Sequence, residues 1–291
     1  TEYIASPAHA EYMAYPRALA LSEVLWSPAA ARDWTSFVGR LPAVLHTLDG
    51  LRVNYRIPDV AGLERDVTTL DDSATVTLMA PEAGTIRYTL DGTIPSASSP
   101  PYAGPFTLHL SAAPVTVIAR LQAPSGLLGA PRSASWRRAV WMPADRPDTT
   151  GLAHGLTYTY SEGRADSAGA VALLPVIRTG SVAGVGLRGD ERAERFAVTL
   201  EGWLQVPADS LYEFALSSDD GSALWIDGTK VVDNDGYHGP DAKQGVAALR
   251  TGLHRLRVVM FQGTGAKALA LGWRPAGAPM FAPPPADELF R

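Results

Sequence analysis

Adjacent carboxylates are the groups in this 291-residue chain best suited to acid–base chemistry. Two acids in unlike surroundings can divide into a proton donor and a proton acceptor. Asp190-Glu191 lies in an Arg-rich loop ahead of a strand pattern, and Asp287-Glu288 follows three prolines. Both settings predict solvated surface acids. Asp233, Asn234 and Asp235 form another acidic loop, whose Asn-Asp-Gly run is ordinary turn chemistry. The six histidines show no H-x-x-x-H spacing, so each reads as a surface or packed side chain. His238, beside Tyr237 in the acidic loop, is the one closest to potential ligands. Cysteine is absent, which excludes disulfides, thiol nucleophiles and thiolate metal sites. There is no Gly-rich phosphate loop and no serine-nucleophile elbow. The seven tryptophans could stack on sugars, but their places in alternating runs predict core roles for most.

The elements that would position these groups are mostly strands. Gly (27) and Pro (23) are frequent, and hydrophobic residues at 46 % outweigh charged ones at 19 %, which predicts a turn-rich β chain with ample core. A net charge of −5 argues against nucleic acid or an anionic membrane as the main partner. No apolar run approaches the roughly 20 residues that span a bilayer. Residues 1–58 read as helical: Asp33 is the expected N-cap of a run through Trp34, Phe37, Val38, Leu41, Leu45 and Leu48, which Pro42 should kink or break. Residues 62–141 switch to alternating strands at Thr75–Leu78, Ile86–Leu90 and Val115–Ala119. They predict an immunoglobulin-like sandwich, followed by a linker over 142–150. Residues 151–291 alternate through Phe196–Val206, Tyr212–Leu216, Leu256–Met260 and Leu269–Trp273, with a hairpin turning at Asp227-Gly228. They predict a second sandwich or barrel.

Three segments resemble known families. Thr1-Glu2-Tyr3-Ile4, Glu11-Tyr12-Met13-Ala14-Tyr15-Pro16-Arg17 and Ala20-Leu21-Ser22-Glu23-Val24-Leu25-Trp26-Ser27, continued by Arg32-Asp33-Trp34 and Val53-Asn54-Tyr55-Arg56, resemble glycoside hydrolase family 20, the exo-β-N-acetylhexosaminidases. Tyr88-Thr89-Leu90-Asp91-Gly92-Thr93-Ile94-Pro95 and Tyr102-Ala103-Gly104-Pro105 resemble the fibronectin-like C-terminal domain of chitobiases. Ser217-Ser218-Asp219-Asp220-Gly221-Ser222, Trp225-Ile226-Asp227-Gly228 and Val232-Asp233-Asn234-Asp235-Gly236-Tyr237-His238-Gly239 resemble a PA-14 module. The implied architecture is multidomain and mainly β. An α-helical remnant of a (β/α)8 barrel (1–58) is followed by a fibronectin-like sandwich (62–141) and a PA-14-type sandwich (151–291).

The resemblance implies substrate-assisted retaining hydrolysis of terminal N-acetyl-D-hexosamine, with no cofactor for the chemistry. An Asp orients the 2-acetamido group and a Glu protonates the leaving oxygen, an exception to the two-carboxylate scheme. That pair follows a His-x-Gly-Gly signature on an earlier barrel strand. The signature is absent here, so this chain alone is expected to be inactive. Glu2 matches the family carboxylate that grips two hydroxyls of the terminal sugar. Asp219 and Asp220 match the pair, joined by a cis peptide, that holds Ca2+ in sugar-binding adhesins; the competing reading makes them turn residues bonded to backbone N–H groups. The adhesins add an Asn from a late loop, where this chain reads Phe261-Gln262-Gly263-Thr264-Gly265. Expected partners are N-acetylhexosamine-containing glycans and the missing N-terminal part of the barrel, in a periplasmic or secreted setting inferred from the family. The rival function is a non-catalytic carbohydrate-binding or surface-attachment protein.

Overall fold

Side-chain caps and apolar spacing account for the helices of the first unit, residues 1–138. The computed structural model describes residues 3–145 and 149–291. Helix α1 (Pro7–Ala14) is capped by Ser6, whose hydroxyl accepts from the His9 N–H, and α2 (Arg17–Trp26) begins after a cis Tyr15-Pro16 bond. Asp33 caps α3 (Trp34–Gly50) as expected, accepting from Ser36 N at 2.7 Å. The helix runs through Pro42 without the break that residue could impose. Leu45 and Leu48 lie on its buried face, and their packing offsets the one backbone bond that proline cannot donate.

The strands of this unit are β1 (Val67–Thr69), β2 (Ser73–Val76), β3 (Thr85–Thr89), β4 (Phe106–His109), β5 (Val115–Gln122) and β6 (Arg132–Arg138). One sheet has the order β1-β6-β5-β3, with β1 parallel to β6, and the other pairs β2 with β4. Alternation along β5 buries Val117, Ala119 and Leu121. These pack with Val76, Leu78 and Trp136 and with Leu45 and Leu48 of α3, so helix and sandwich share one core. Leu25, Trp26 and Trp34 remain exposed on the helices.

The second unit, residues 139–291, is a two-sheet sandwich. Its strands are β7 (Trp141–Met142), β8 (Leu156–Glu162), β9 (Val176–Val182), β10 (Phe196–Val206), β11 (Ser210–Asp219), β12 (Ser222–Ile226), β13 (Thr229–Asn234), β14 (Asp241–Leu249), β15 (Gly252–Gln262), β16 (Ala268–Pro275) and β17 (Leu289–Phe290). One sheet runs β13-β12-β15-β10-β8-β9, with β17 also on β10; the other runs β16-β11-β14-β7. Leu200, Leu204, Val258 and Met260 from the first meet Phe214, Leu216, Leu271 and Trp273 from the second. The β12–β13 hairpin turns as the sequence predicts: Asp227 (φ 48°) and Gly228 (φ 78°) are both left-handed, the conformation of a type I′ turn.

A buried charge pair braces that turn. His254, fully buried on β15, lies 2.6 Å from Asp227 Oδ2 through Nδ1 and 2.7 Å from the Arg250 carbonyl through Nε2. Neither oxygen can donate, so both ring nitrogens carry protons and the ring is an imidazolium. Burial opposes that charge, but Asp227 and the Arg250 carbonyl outweigh it and raise the pKa above 6.5. The pair therefore contributes fully below pH 6.5, and its contribution is lost as pH rises through the elevated folded value. The urea midpoint of this unit should fall between pH 6 and pH 9. His254→Gln should lower stability by about 1–3 kcal/mol, because Asp227 loses one of its two partners while keeping the bond from Arg255 N, and should flatten that alkaline slope. Denaturation curves at both pH values measure the two effects.

Candidate functional site

β11 ends at Asp219, and the following Asp220-Gly221 turns the chain into β12. The Asp219-Asp220 peptide is cis. Both acids are nearly sealed from solvent, at 5 % and 6 % exposure. Asp220 is well satisfied: Oδ1 accepts from His238 N at 3.2 Å and Oδ2 from Gly263 N at 2.9 Å. It thus ties together the β13–β14 loop and the end of β15. No hydrogen bond among the described residues reaches the Asp219 carboxylate. Burial first, and Asp220 second, push its pKa up.

The surrounding segments are rich in oxygen. Asn234 is buried and uses its Nδ2 on Ser218 Oγ (3.1 Å) and the Asp241 carbonyl (3.2 Å), which leaves Oδ1 buried and unpaired. Gln262 Nε2 donates to the Ala266 carbonyl at 2.8 Å, and its Oε1 is likewise buried and unpaired. His238 holds the loop from the other side, with its ring nitrogens 2.7 Å from the Gly239 carbonyl and 3.0 Å from the Asn234 carbonyl. Both partners accept only, so the protonated ring satisfies both contacts and both ring nitrogens are engaged with carbonyls. Burial opposes its charge, yet the two carbonyls, with Asp241 and Asp220, raise its pKa. Among the described residues no group of three His, Asp or Glu side chains converges as a metal cluster. Any cation here would rely on Asp219 and Asp220, supplemented by amide or carbonyl oxygens, a donor set suited to a hard ion such as Ca2+.

Glu2, the other candidate, lies outside the described residues. Asp190 is exposed and pairs with Arg178 at 2.7 Å, as expected of a surface acid. Glu191 departs from that expectation, because it is buried. It accepts from Tyr158 OH (2.5 Å), Arg188 N (2.6 Å) and Gly189 N (2.9 Å), bonds that outweigh burial and lower its pKa. Its role is to clamp a loop, and the Tyr partner 33 positions away is what local sequence could not show. Glu288 is half-buried, and burial raises its pKa. Asp233 pairs with Lys230 on the surface, whereas Asp235 Oδ1 caps Ala168 N at 2.7 Å. Of the tryptophans, Trp136 and Trp273 are buried in the main cores and Trp225 packs, partly buried, against a smaller cluster around Val259 and Phe261; the expectation of core roles for most is corrected. Alternation fixes a two-residue period and leaves open which face is buried.

Comparison with known proteins gives a consistent assignment by segment. Residues 67–124 match the family model of the chitobiase/β-hexosaminidase C-terminal domain, and residues 152–285 match that of the PA14 domain. A β-hexosaminidase of Porphyromonas gingivalis is 28 % identical over 269 residues, which cover 89 % of this chain and 34 % of that protein. The chain thus spans about a third of the length of that curated relative. Among solved structures, the PA14 domain of the MpAFP antifreeze protein is 14 % identical (TM-score 0.43, 50 % of this chain and 95 % of that one). A PA14 sugar-binding domain from an RTX adhesin is 20 % identical (TM-score 0.40, 47 % and 98 %).

The Asp220 clamp depends on a glycine. A Cβ on Gly263 would stand 2.6 Å from Tyr237 Cε1, inside van der Waals contact. Moving that ring would cost the 2.6 Å bond from Tyr237 OH to the Ala165 carbonyl. Gly263→Ala should destabilise this unit by about 1–3 kcal/mol, seen as a lower urea midpoint.

Proposed function

We propose that this chain is the C-terminal region of an exo-β-N-acetylhexosaminidase, which removes terminal N-acetyl-D-hexosamine by substrate-assisted retaining catalysis. The carrying observation is collinear: a single alignment to a β-hexosaminidase runs through 89 % of the chain. In this reading residues 1–58 close the catalytic barrel, and Glu2 grips the terminal sugar from the barrel's last strand end. Leu21, Leu25, Trp26 and Trp34 support it: these exposed apolar side chains are what a helix presents when its packing partner lies elsewhere in the protein. The paired acid machinery belongs to the earlier barrel strands. The natural setting is the periplasm or the exterior, where such glycans are found.

The PA14 module has its own part in this reading. Asp219 and Asp220 hold a Ca2+ ion, with the buried, unpaired Asn234 Oδ1 and Gln262 Oε1, at the strand ends on the same side of the sandwich, as candidate oxygens to complete its shell. The Asp219 carboxylate favours this: the residue is little exposed and has no hydrogen-bond donor among the described residues, and a nearby cation would offset the cost of desolvating an anion. A bound Ca2+ would offer coordination positions to vicinal sugar hydroxyls. The same observation favours the second reading, in which the chain acts as a carbohydrate-binding or attachment module without catalysis.

Two measurements test these readings. The isolated chain should not turn over p-nitrophenyl N-acetyl-β-D-glucosaminide, whereas a protein that also carries the upstream barrel should; turnover by the chain alone would overturn the first reading. Calcium at a hundredfold excess over its Kd should stabilise the chain by about 2.7 kcal/mol in thermal melts. Asp219→Asn should abolish that gain. Equal gains in both proteins would place the ion elsewhere.

A further inference from the structure

The outer face of the larger sheet in the second unit carries a row of side chains unlike ordinary solvent-facing strand residues. Cross-strand register places Trp225 of β12 opposite Arg257 of β15, Arg257 opposite Glu201 of β10, and Glu201 opposite Thr157 of β8. In the next row Arg255 stands opposite Trp203. The neighbours Leu200, Leu204, Leu256 and Val258 point the other way, into the core. The row is therefore fixed by the same alternation that builds the sandwich.

Each guanidinium is stacked on an indole. Arg255 Cζ is 4.6 Å from the Trp203 ring centre, and Arg257 Cζ is 5.1 Å from that of Trp225. Such stacking holds a long side chain in one orientation while its N–H edges stay available. Arg255 uses Nε on Asp145 Oδ2 at 2.8 Å. Arg257 Nε is closed off from solvent 3.4 Å from Glu201 Oε1, without a hydrogen bond. Among the described residues no hydrogen bond uses the terminal nitrogens of either arginine. These groups line an open cleft of about 530 Å3 with Thr157, Glu201, Trp203 and Trp225.

We infer that this cleft binds an acidic oligosaccharide, independently of the calcium site. The terminal N–H pairs of Arg255 and Arg257 are preset to receive a carboxylate in two parallel bonds. Glu201 on the adjacent β10 and Thr157 on β8 beyond it can accept hydroxyl hydrogens from a sugar lying across the cleft. Glu201 also disfavours a dense polyanion, so the fitting ligand carries isolated carboxylates between neutral sugars. A β-strand peptide is not matched here: β10, β12 and β15 are interior strands whose backbone groups are already paired.

Calorimetric titration of the whole chain tests this with hyaluronan hexasaccharide and chitohexaose, which share N-acetylglucosamine and differ in carboxylates. Hyaluronan should bind at least tenfold more tightly. The double variant Arg255→Gln/Arg257→Gln should lose at least tenfold, and Thr157→Trp, which fills the cleft without removing charge, should lose as much. Asp219→Asn and a chelator should leave this binding unchanged, which separates it from the calcium reading. Equal affinity for the two sugars, full binding by both cleft variants, or loss on chelation would overturn the proposal. Displacement at equal concentration by inorganic sulfate or by poly-glutamate would also overturn it, by assigning the cleft to free anions or acidic peptides.

Discussion

The register between β10 and β15 is the constraint on which the second unit depends. The two strands pair without interruption from Phe196↔Gln262 to Val206↔Gly252. A slip of one residue would turn Leu200, Leu204, Val258 and Met260 out to solvent and bring Trp203, Arg255 and Arg257 into the core. The cost of such an exchange makes the register unique. Three features are thereby fixed together. The far end of β15 delivers Gly263 to Asp220, its near end delivers His254 to Asp227, and its outer face presents the stacked arginines. None of these requires a dedicated scaffold beyond the sandwich itself.

Buried charge separates scaffold from candidate site. Glu191 collects three donors, and His254 faces two acceptors, one of them an anion. Each is fully compensated, so each serves the fold. Asp219 is buried to the same degree with no donor among the described residues, next in sequence to a second carboxylate. On the calcium reading proposed above, Asn234 Oδ1 and Gln262 Oε1 are groups that an outside ion would complete; Glu288 Oε2 and Arg178 Nε, also buried and unpaired, show that such atoms occur away from this end as well. The comparison between Glu191 and Asp219 is instructive because both are acids beside a second acid in the sequence. Only the inventory of partners tells a clamp from a ligand site.

Much of this architecture was legible in the sequence. Alternation located the long strands, Asp-Gly located the hairpin, and Asp33 located the start of α3, because each signal is local and has one structural outcome. What escaped were facts set by partners distant in sequence. Glu191 reads as solvated until Tyr158 is brought to it across 33 positions. Trp203 faces outward beside Arg255, and Trp225 on the same face packs only against the small cluster around Val259 and Phe261, because a strand's period does not say which face the main core covers. The Asp219-Asp220 pair is singled out by family resemblance alone, and what the structure adds is that Asp220 holds two backbone amides distant in sequence. Pro42 shows the reverse case, a strong local signal for a break overridden by Leu45 and Leu48 packing on the same helix.

The helices of the first unit pose a different balance. One face of α3 is committed to the sandwich core through Leu45 and Leu48. The helices also carry Leu25, Trp26 and Trp34 into solvent, where no other element of the unit covers them. At about 25 cal/mol per Å2, leaving two indoles and a leucine uncovered forfeits several kcal/mol that a small domain could use. A unit that evolved to stand alone would have had polar residues at these positions at little cost. On the proposed reading, their apolar character is half of a larger interface: the inner helix face packs on the β-sandwich and the outer face would meet the rest of the barrel. This division explains why the segment keeps helical order with so little buried on α1 and α2: α3 anchors it through the sandwich, and the remaining apolar surface is held ready on a scaffold that is already fixed.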